Sequence, residues 1–273
     1  MENLPARTGW TWVRQGFALF MRQPAEMLTT FLAYLLLMFG IGLIQVVGQI
    51  FWMLILPILS IGFMQACANI EQGKRVFPSV LLTGFRSSAR TNLLKLGGLY
   101  MLTLLLVLGT AILVDDGTLW KVLNNQVELN RKTMDESNIM LPMLLSIILY
   151  LPAAMAFWYA AALVQWKKMS LGKAIFYSFF AVWRAKLAFL VYGLAWLVIG
   201  VILPAMLSRL IQSLSSDVTL ASVLLLPISI ILSVIFYCSF YATYKTLFGA
   251  IEEELPPATG PGSDADAGPD LQA

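Results

Sequence analysis

Six stretches of this chain are apolar for about the thickness of a bilayer and contain no Asp, Glu, Lys or Arg. They are Leu28–Val47, Ile50–Asn69, Leu96–Val114, Ile139–Val164, Leu187–Leu207 and Leu220–Tyr244. A helix crossing the hydrocarbon core needs roughly 20 apolar residues at 1.5 Å rise each, and every stretch meets or nearly meets that length. In lipid the backbone must satisfy its own hydrogen bonds, which a helix does within one segment. The expected fold class is therefore all-α, a polytopic membrane protein with six transmembrane helices. Leu96–Val114 alone holds 11 Leu, Ile and Val residues. Together they are worth roughly 3–7 kcal/mol of insertion free energy as an upper bound, so this span needs no neighbour to insert. Arg7, Arg14 and Arg22 precede the first run. That run exceeds the apolar core of a cleavable signal, so it is expected to remain as the first span.

Composition narrows the chemistry. Of 273 residues 59% are hydrophobic and 12% charged, and a soluble domain carries about twice that charge. There is no histidine, which removes the commonest metal ligand and the commonest general base. The two cysteines, Cys67 and Cys238, fall inside spans and read as packing residues rather than a disulfide or metal pair, with no second thiol expected nearby. No phosphate-binding glycine loop and no zinc-spaced cluster is present. Asp115–Asp116, at the end of the third span, reads as a helix end meeting water. Spans without ionisable residues argue against proton- or ion-coupled transport. Catalytic, cofactor-binding and metal residues are accordingly expected to be none, and the chain is expected not to be an enzyme.

Charge also orients the chain. Of the 18 Lys and Arg residues, 14 fall on one side: the N-terminal segment, the loops after spans two and four, and Lys245. Lys121, Arg131, Lys132 and Arg209 fall on the other. Basic residues accumulate on the cytoplasmic side, so both termini are expected there. The expected domains are a six-span membrane domain, 1–251, and a disordered acidic cytoplasmic tail, 252–273. That tail has six acidic residues, no basic ones and four prolines, too little apolar surface for a core.

A threefold pattern overlies the six spans. Amphipathic stretches precede each pair of spans at Trp10–Pro24, Phe77–Asn92 and Ser170–Lys186. Their apolar stripes are read as Trp10, Val13, Phe17 and Phe20; Val80, Leu81 and Phe85; and Leu171, Ile175, Phe179 and Val182. An apolar stripe opposite cations beside a span suggests a helix in the headgroup layer. Gly16-Phe17, Gly84-Phe85 and Ser178-Phe179 lie at equal distances before Arg22, Arg90 and Arg184. Each even-numbered span holds an interior proline (Pro57, Pro152, Pro227) with Lys74, Lys168 or Lys245 following 16 to 18 residues later. The expected architecture is three repeated units of interfacial amphipathic helix plus helical hairpin. Gly40, Gly42, Gly97, Gly98, Ala153, Ala154, Gly193 and Gly200 would allow close helix approach. Trp10, Trp12, Trp166 and Tyr244 read as interfacial anchors. Within the loop after span three, Leu119, Leu123 and Val127 are spaced for a short surface helix.

Three motifs carry a resemblance: Gly9-Trp10-Thr11-Trp12 through Pro24, Ala66-Cys67-Ala68 with Glu71-Gln72-Gly73, and Tyr241-Ala242-Thr243-Tyr244-Lys245 with Phe248-Gly249. Together they resemble a family of uncharacterised six-span proteobacterial inner-membrane proteins. The repeat is more distantly similar to the membrane domain fused to some glycerophosphodiester phosphodiesterases, although no hydrolase domain accompanies it here. The resemblance implies a bacterial inner-membrane location and no activity. Expected partners are membrane lipids, through anionic headgroups on the cytoplasmic face, with no nucleic acid and a membrane-protein partner left open. The functional reading is a lipid-associated or membrane-organising protein. Its alternative is a passive or flippase-like carrier of an apolar substrate, working around the proline-bearing spans.

Overall fold

Every regular element in the computed structural model, which describes residues 4–44, 47–114, 140–215 and 218–251, is helical. The elements are α1 (Arg7–Phe20), α2 (Pro24–Gly42), α3 (Val47–Glu71), a 3-10 turn (Pro78–Leu82), α4 (Thr83–Arg86), α5 (Arg90–Val114), α6 (Met140–Phe157), α7 (Ala160–Trp166), α8 (Leu171–Arg184), α9 (Lys186–Leu197), a π turn (Val198–Ile202), α10 (Leu203–Ser215) and α11 (Val218–Phe248). Six helical rods are long and apolar enough to cross a membrane: Pro24–Gly42, Ile50–Glu71, Arg90–Thr110, Leu144–Trp166, Lys186–Leu214 and Val223–Phe248. They coincide with the six apolar stretches, shifted by a few residues at their ends. Asp115–Asp116, the short helix expected near Leu119 and the tail 252–273 lie outside the described residues.

Helix α3 is the mast of the bundle. It touches α2, α5, α7 and α11, and 56% of its span is buried against 17–33% of the others. Burial is concentrated toward the end of the bundle where α1 lies and α11 ends, although Gly48, at the opposite end of α3, is buried as well. Among the described residues, only Val107 is buried in α5 beyond Gly97; α6 has none, α9–α10 none beyond Tyr192, and α11 none before Val234. Lipid tails are as apolar as leucine, so helices in a bilayer are held by close packing and polar ties rather than by expulsion of water. Both devices are concentrated in this half, although a Cβ on Gly48, at the other end of α3, would also meet the Ile41 carbonyl oxygen. A Cβ on Gly9, Gly16, Gly62, Gly84 or Gly97 would collide with the backbone of a neighbouring helix or turn. Along α11, Ser239, Thr243 and Thr246 share one face and bond the Tyr192 hydroxyl (2.8 Å), the Tyr159 hydroxyl (2.7 Å) and the Trp12 indole (2.9 Å).

The small-residue expectation is corrected by this packing. Of the six glycines expected at close contacts only Gly97 serves; Gly40, Gly42, Gly98 and Gly193 face open space and Gly200 meets only its own Trp196. The others were misassigned because the lipid-facing surface is also rich in glycine. Two expected anchors are core residues as well. Trp12 and Tyr244 are buried, Trp166 is half-buried, and only Trp10 lies exposed.

The amphipathic segments differ from expectation in a common way, by packing into the bundle. Helix α1 lies on α9 and α11 and buries Gly9, Trp12, Val13, Gly16, Leu19 and Phe20. Of the apolar stripe, Val13 and Phe20 pack into the bundle while Trp10 and Phe17 are exposed, and Gly9 and Gly16 make the adjacent face the closer-fitting one. The middle segment is not one helix to Asn92. It is a 3-10 turn and a single α turn lying on α2 and α3, and Arg90 already begins α5. Helix α8 follows its expected span on α6 and α7, but its buried residues are Ala174, Ser178 and Ala181 together with Val182 of the expected stripe.

Two spans are interrupted for identifiable reasons. The Tyr159 N–H does not bond the Met155 carbonyl. Ser178 of α8 inserts its hydroxyl between them, accepting from Tyr159 N and donating to Met155 O, both at 2.9 Å. A side chain inserted into the ladder breaks a helix, and here it separates α6 from α7. Farther on, Pro204 has no N–H and its ring would crowd the Gly200 carbonyl; the π turn before it lets Leu203 N bond Val198 O, five residues back.

The even-numbered spans end alike. Gly73 (φ 75°), Lys168 (φ 50°) and Gly249 (φ 87°) are the left-handed residues among those described, and each follows the end of α3, α7 or α11. After α3, Lys74 N bonds Asn69 O (2.9 Å) and Gly73 N bonds Ile70 O (3.0 Å); after α11, Gly249 N bonds Lys245 O (3.0 Å). These bonds satisfy orphan carbonyls in the left-handed capping geometry that favours glycine. The proline and lysine offsets are less uniform than the sequence suggested. Pro57 is buried, whereas Pro152 and Pro227 face outward. Lys245 sits within α11 rather than after it.

Candidate functional site at the basic end of the bundle

The ends of the three even-numbered spans converge on a cleft of about 750 Å³. Gln65 and Asn69 of α3, Gln165 and Trp166 of α7 and Tyr244 of α11 form its floor, while Arg75, Arg86, Lys167 and Lys168 supply its charge. Among the described residues no Asp or Glu lines it. Three helix C-termini bring roughly half a negative charge each. Arg75, Arg86 and Lys167 by themselves outweigh them, so the cleft is net positive among the described residues.

Its amides are oriented by their neighbours. Asn69 Oδ1 accepts from Gln65 Nε2 (2.9 Å), and Gln165 Oε1 accepts from the Ser87 hydroxyl (2.6 Å). In both side chains the acceptor is occupied and the NH2 remains as a donor. Tyr244 is 1% exposed, and its hydroxyl has no hydrogen-bond partner among the described residues. Its ring is held by Trp166 and Phe248, with centroids at 5.6 and 5.3 Å.

A smaller cavity of about 380 Å³ lies beside α1, with Arg22, Glu71 and Lys245 on its wall. Glu71 accepts from the Tyr241 hydroxyl (2.9 Å) and pairs with Lys245, tying α3 to α11. Both charged side chains are about a third or more exposed, and pairs in such settings contribute about 1 kcal/mol or less. Cys67 and Cys238 are free and buried, as packing residues are. Their sulfurs nevertheless lie 3.8 Å apart, a neighbour that 171 residues of separation hid from the sequence. Among the described residues no group of three His, Cys, Asp or Glu side chains forms a metal site.

The cleft itself escaped sequence reasoning. Its arginines and lysines are visible as loop charges, but their convergence depends on how three distant helix ends meet. The repeated left-handed ends, two of them glycines, were the signal that could have pointed there.

Six apolar rods whose polar ties and charges gather at one end define a polytopic α-helical membrane protein. The chain is 38% identical over 259 residues to a probable inner membrane protein of Burkholderia thailandensis, an alignment covering 93% of this chain and 96% of that one. It belongs to that inner-membrane protein family, and it is a multi-pass protein of the bacterial inner membrane. No family model and no solved structure matches it.

Proposed function

We propose that this is a non-enzymatic, membrane-organising protein whose basic end faces the cytoplasm and gathers anionic lipid headgroups. The observation that carries this reading is the outward face of α8. Phe176, Tyr177, Phe180 and Trp183 are exposed there, with Lys173 over the Tyr177 ring (5.8 Å) and Lys186 over the Trp183 ring (5.3 Å). Exposed rings on α8, with cations on it and at the start of α9, suit the boundary between acyl chains and headgroups. Helix α1 presents the same mixture in Trp10, Arg14 and Phe17. On this reading the chain is three units, each contributing an amphipathic segment that rests on another hairpin. The proline spacing and the shared left-handed ends support that division. The carrier alternative needs a passage between the even-numbered spans. It is disfavoured by the centre of α3, where Ile55, Ile58, Leu59 and Phe63 are buried together.

The test is lipid preference in nanodiscs of equal phosphatidylglycerol and phosphatidylcholine, read by native mass spectrometry of the co-purified lipid. Each basic residue near the surface contributes about 1 kcal/mol. Reversing Lys173, Arg184 and Lys186 to Glu should therefore lower the preference for phosphatidylglycerol about tenfold or more. An unchanged preference would sink the proposal.

A further inference from the structure

We infer that the 750 Å³ cleft where the three even-numbered spans end is a binding site for a phosphate-bearing anion. Its volume is that of a small-molecule site. The bland reading of its cations is compensation of the helix ends together with the excess of basic residues on a cytoplasmic face. Three half charges require fewer than two cations, and neither effect accounts for a concave recess furnished with neutral donors. Arg75 and Arg86 bring planar forks that match phosphate oxygens. Asn69 and Gln165 have their carbonyl oxygens engaged, at 2.9 and 2.6 Å, so that what they offer a ligand is N–H. The Tyr244 hydroxyl is a further donor, already stripped of water and without a partner among the described residues. Burying it unsatisfied costs free energy, and an anion accepting its proton recovers that cost. A cation would meet the wrong sign, and an apolar ligand would leave every one of these donors unpaired.

Two sources present this chemistry: a phospholipid headgroup entering from the adjacent leaflet, or a soluble phosphate. The inference rests on the preceding reading only for which side the cleft faces. The α8 surface and the cleft share none of the residues the two tests alter, so either can fail alone.

The experiment uses the full chain in phosphatidylcholine nanodiscs, with binding followed by the shift in thermal unfolding. One arm titrates inorganic phosphate and the other replaces part of the lipid with phosphatidylglycerol. Saturable stabilisation by phosphate assigns a soluble ligand; stabilisation by phosphatidylglycerol alone assigns a headgroup. Arg75→Gln with Arg86→Gln should weaken whichever binding occurs about tenfold or more, with unfolding of the unliganded protein unchanged because both side chains are exposed. Tyr244→Phe gives a second readout. It should weaken binding while leaving the unliganded protein as stable as before or more so, since it removes an unpaired buried hydroxyl. Lys173→Gln with Lys186→Gln should leave cleft binding intact. No stabilisation in either arm, or binding that survives the arginine substitutions, overturns the inference.

Discussion

Gly97 and Gly98 are neighbours in one span, and the packing assigns them opposite roles. A Cβ on Gly97 would stand 2.7 Å from the Leu54 Cα and 2.8 Å from its carbonyl carbon, and nearer still to its carbonyl oxygen. The obstruction is backbone, so no rotamer change relieves it, and α3 and α5 must separate. On Gly98 a Cβ would meet nothing within 4 Å. Overpacking of this kind costs about 1–3 kcal/mol. The gain of about 1 kcal/mol from replacing glycine with alanine in a helix applies to both sites and cancels in the comparison. Gly97→Ala should therefore be about 1–3 kcal/mol less stable than Gly98→Ala. At about 2–4 °C per kcal/mol for a chain of this size, its melting temperature should lie roughly 2–12 °C lower. Thermal unfolding in detergent, followed by intrinsic tryptophan fluorescence, measures the difference. Reversible unfolding in mixed dodecyl sulfate micelles checks it at equilibrium. If Gly97→Ala melts at or above Gly98→Ala, the backbone contact between α3 and α5 does not exist, and the joint between the first two hairpins is wrong.

Dibromobimane, a short bifunctional thiol reagent that fluoresces when both arms react, should join Cys67 to Cys238 within one chain, because their sulfurs are 3.8 Å apart. Peptide mapping would locate the link, and its absence after both thiols react singly would refute the contact between α3 and α11. Truncation after Ile251 should leave the melting temperature of the membrane domain unchanged, since the acidic tail is read as solvated; a clear drop would show that the tail is part of the fold.

The spans were legible because their signal is one-dimensional. Twenty apolar residues without a charge have few alternatives once water is excluded, and all six runs became helices. Which face of each helix touches protein was less legible, because in a membrane both the buried and the lipid-facing sides are apolar. That degeneracy hid the protein-facing side of α1, where Trp12, read as an interfacial anchor, is buried together with Gly16. It also placed Gly98 and Gly193 at interfaces that they do not form. Ser178 illustrates a second limit. At the position where the other units carry Gly16 and Gly84, its hydroxyl breaks the Tyr159–Met155 rung of another helix, and nothing local to either sequence foretells it. The cleft shares that limit. Arg75, Lys167 and Tyr244 come from three segments, and only the packing of α3, α7 and α11 brings them together.

The concentration of burial in one half of the bundle makes a quantitative demand on the two ends of the spans. Leu59 is fully buried on α3, whereas Leu106 on α5 is 62% exposed to the surroundings of the bundle. Truncating a buried leucine in a soluble protein costs a transfer part and a cavity part. In a bilayer the transfer part largely vanishes, because the unpacked helix already lies among acyl chains. What remains for Leu59→Ala is the lost packing, about 1–3 kcal/mol. Leu106→Ala exchanges one lipid contact for another and should change stability by less than about 0.5 kcal/mol. Equilibrium unfolding of both variants in the same mixed micelles gives the contrast directly. Equal losses would mean that Leu106 is packed against protein, and that the far halves of the spans form a second core. The predicted inequality would place the structural constraint on the basic half, where the glycine contacts, the hydroxyl ties of α11 and the cationic cleft coincide. The far halves would then be free to follow the bilayer.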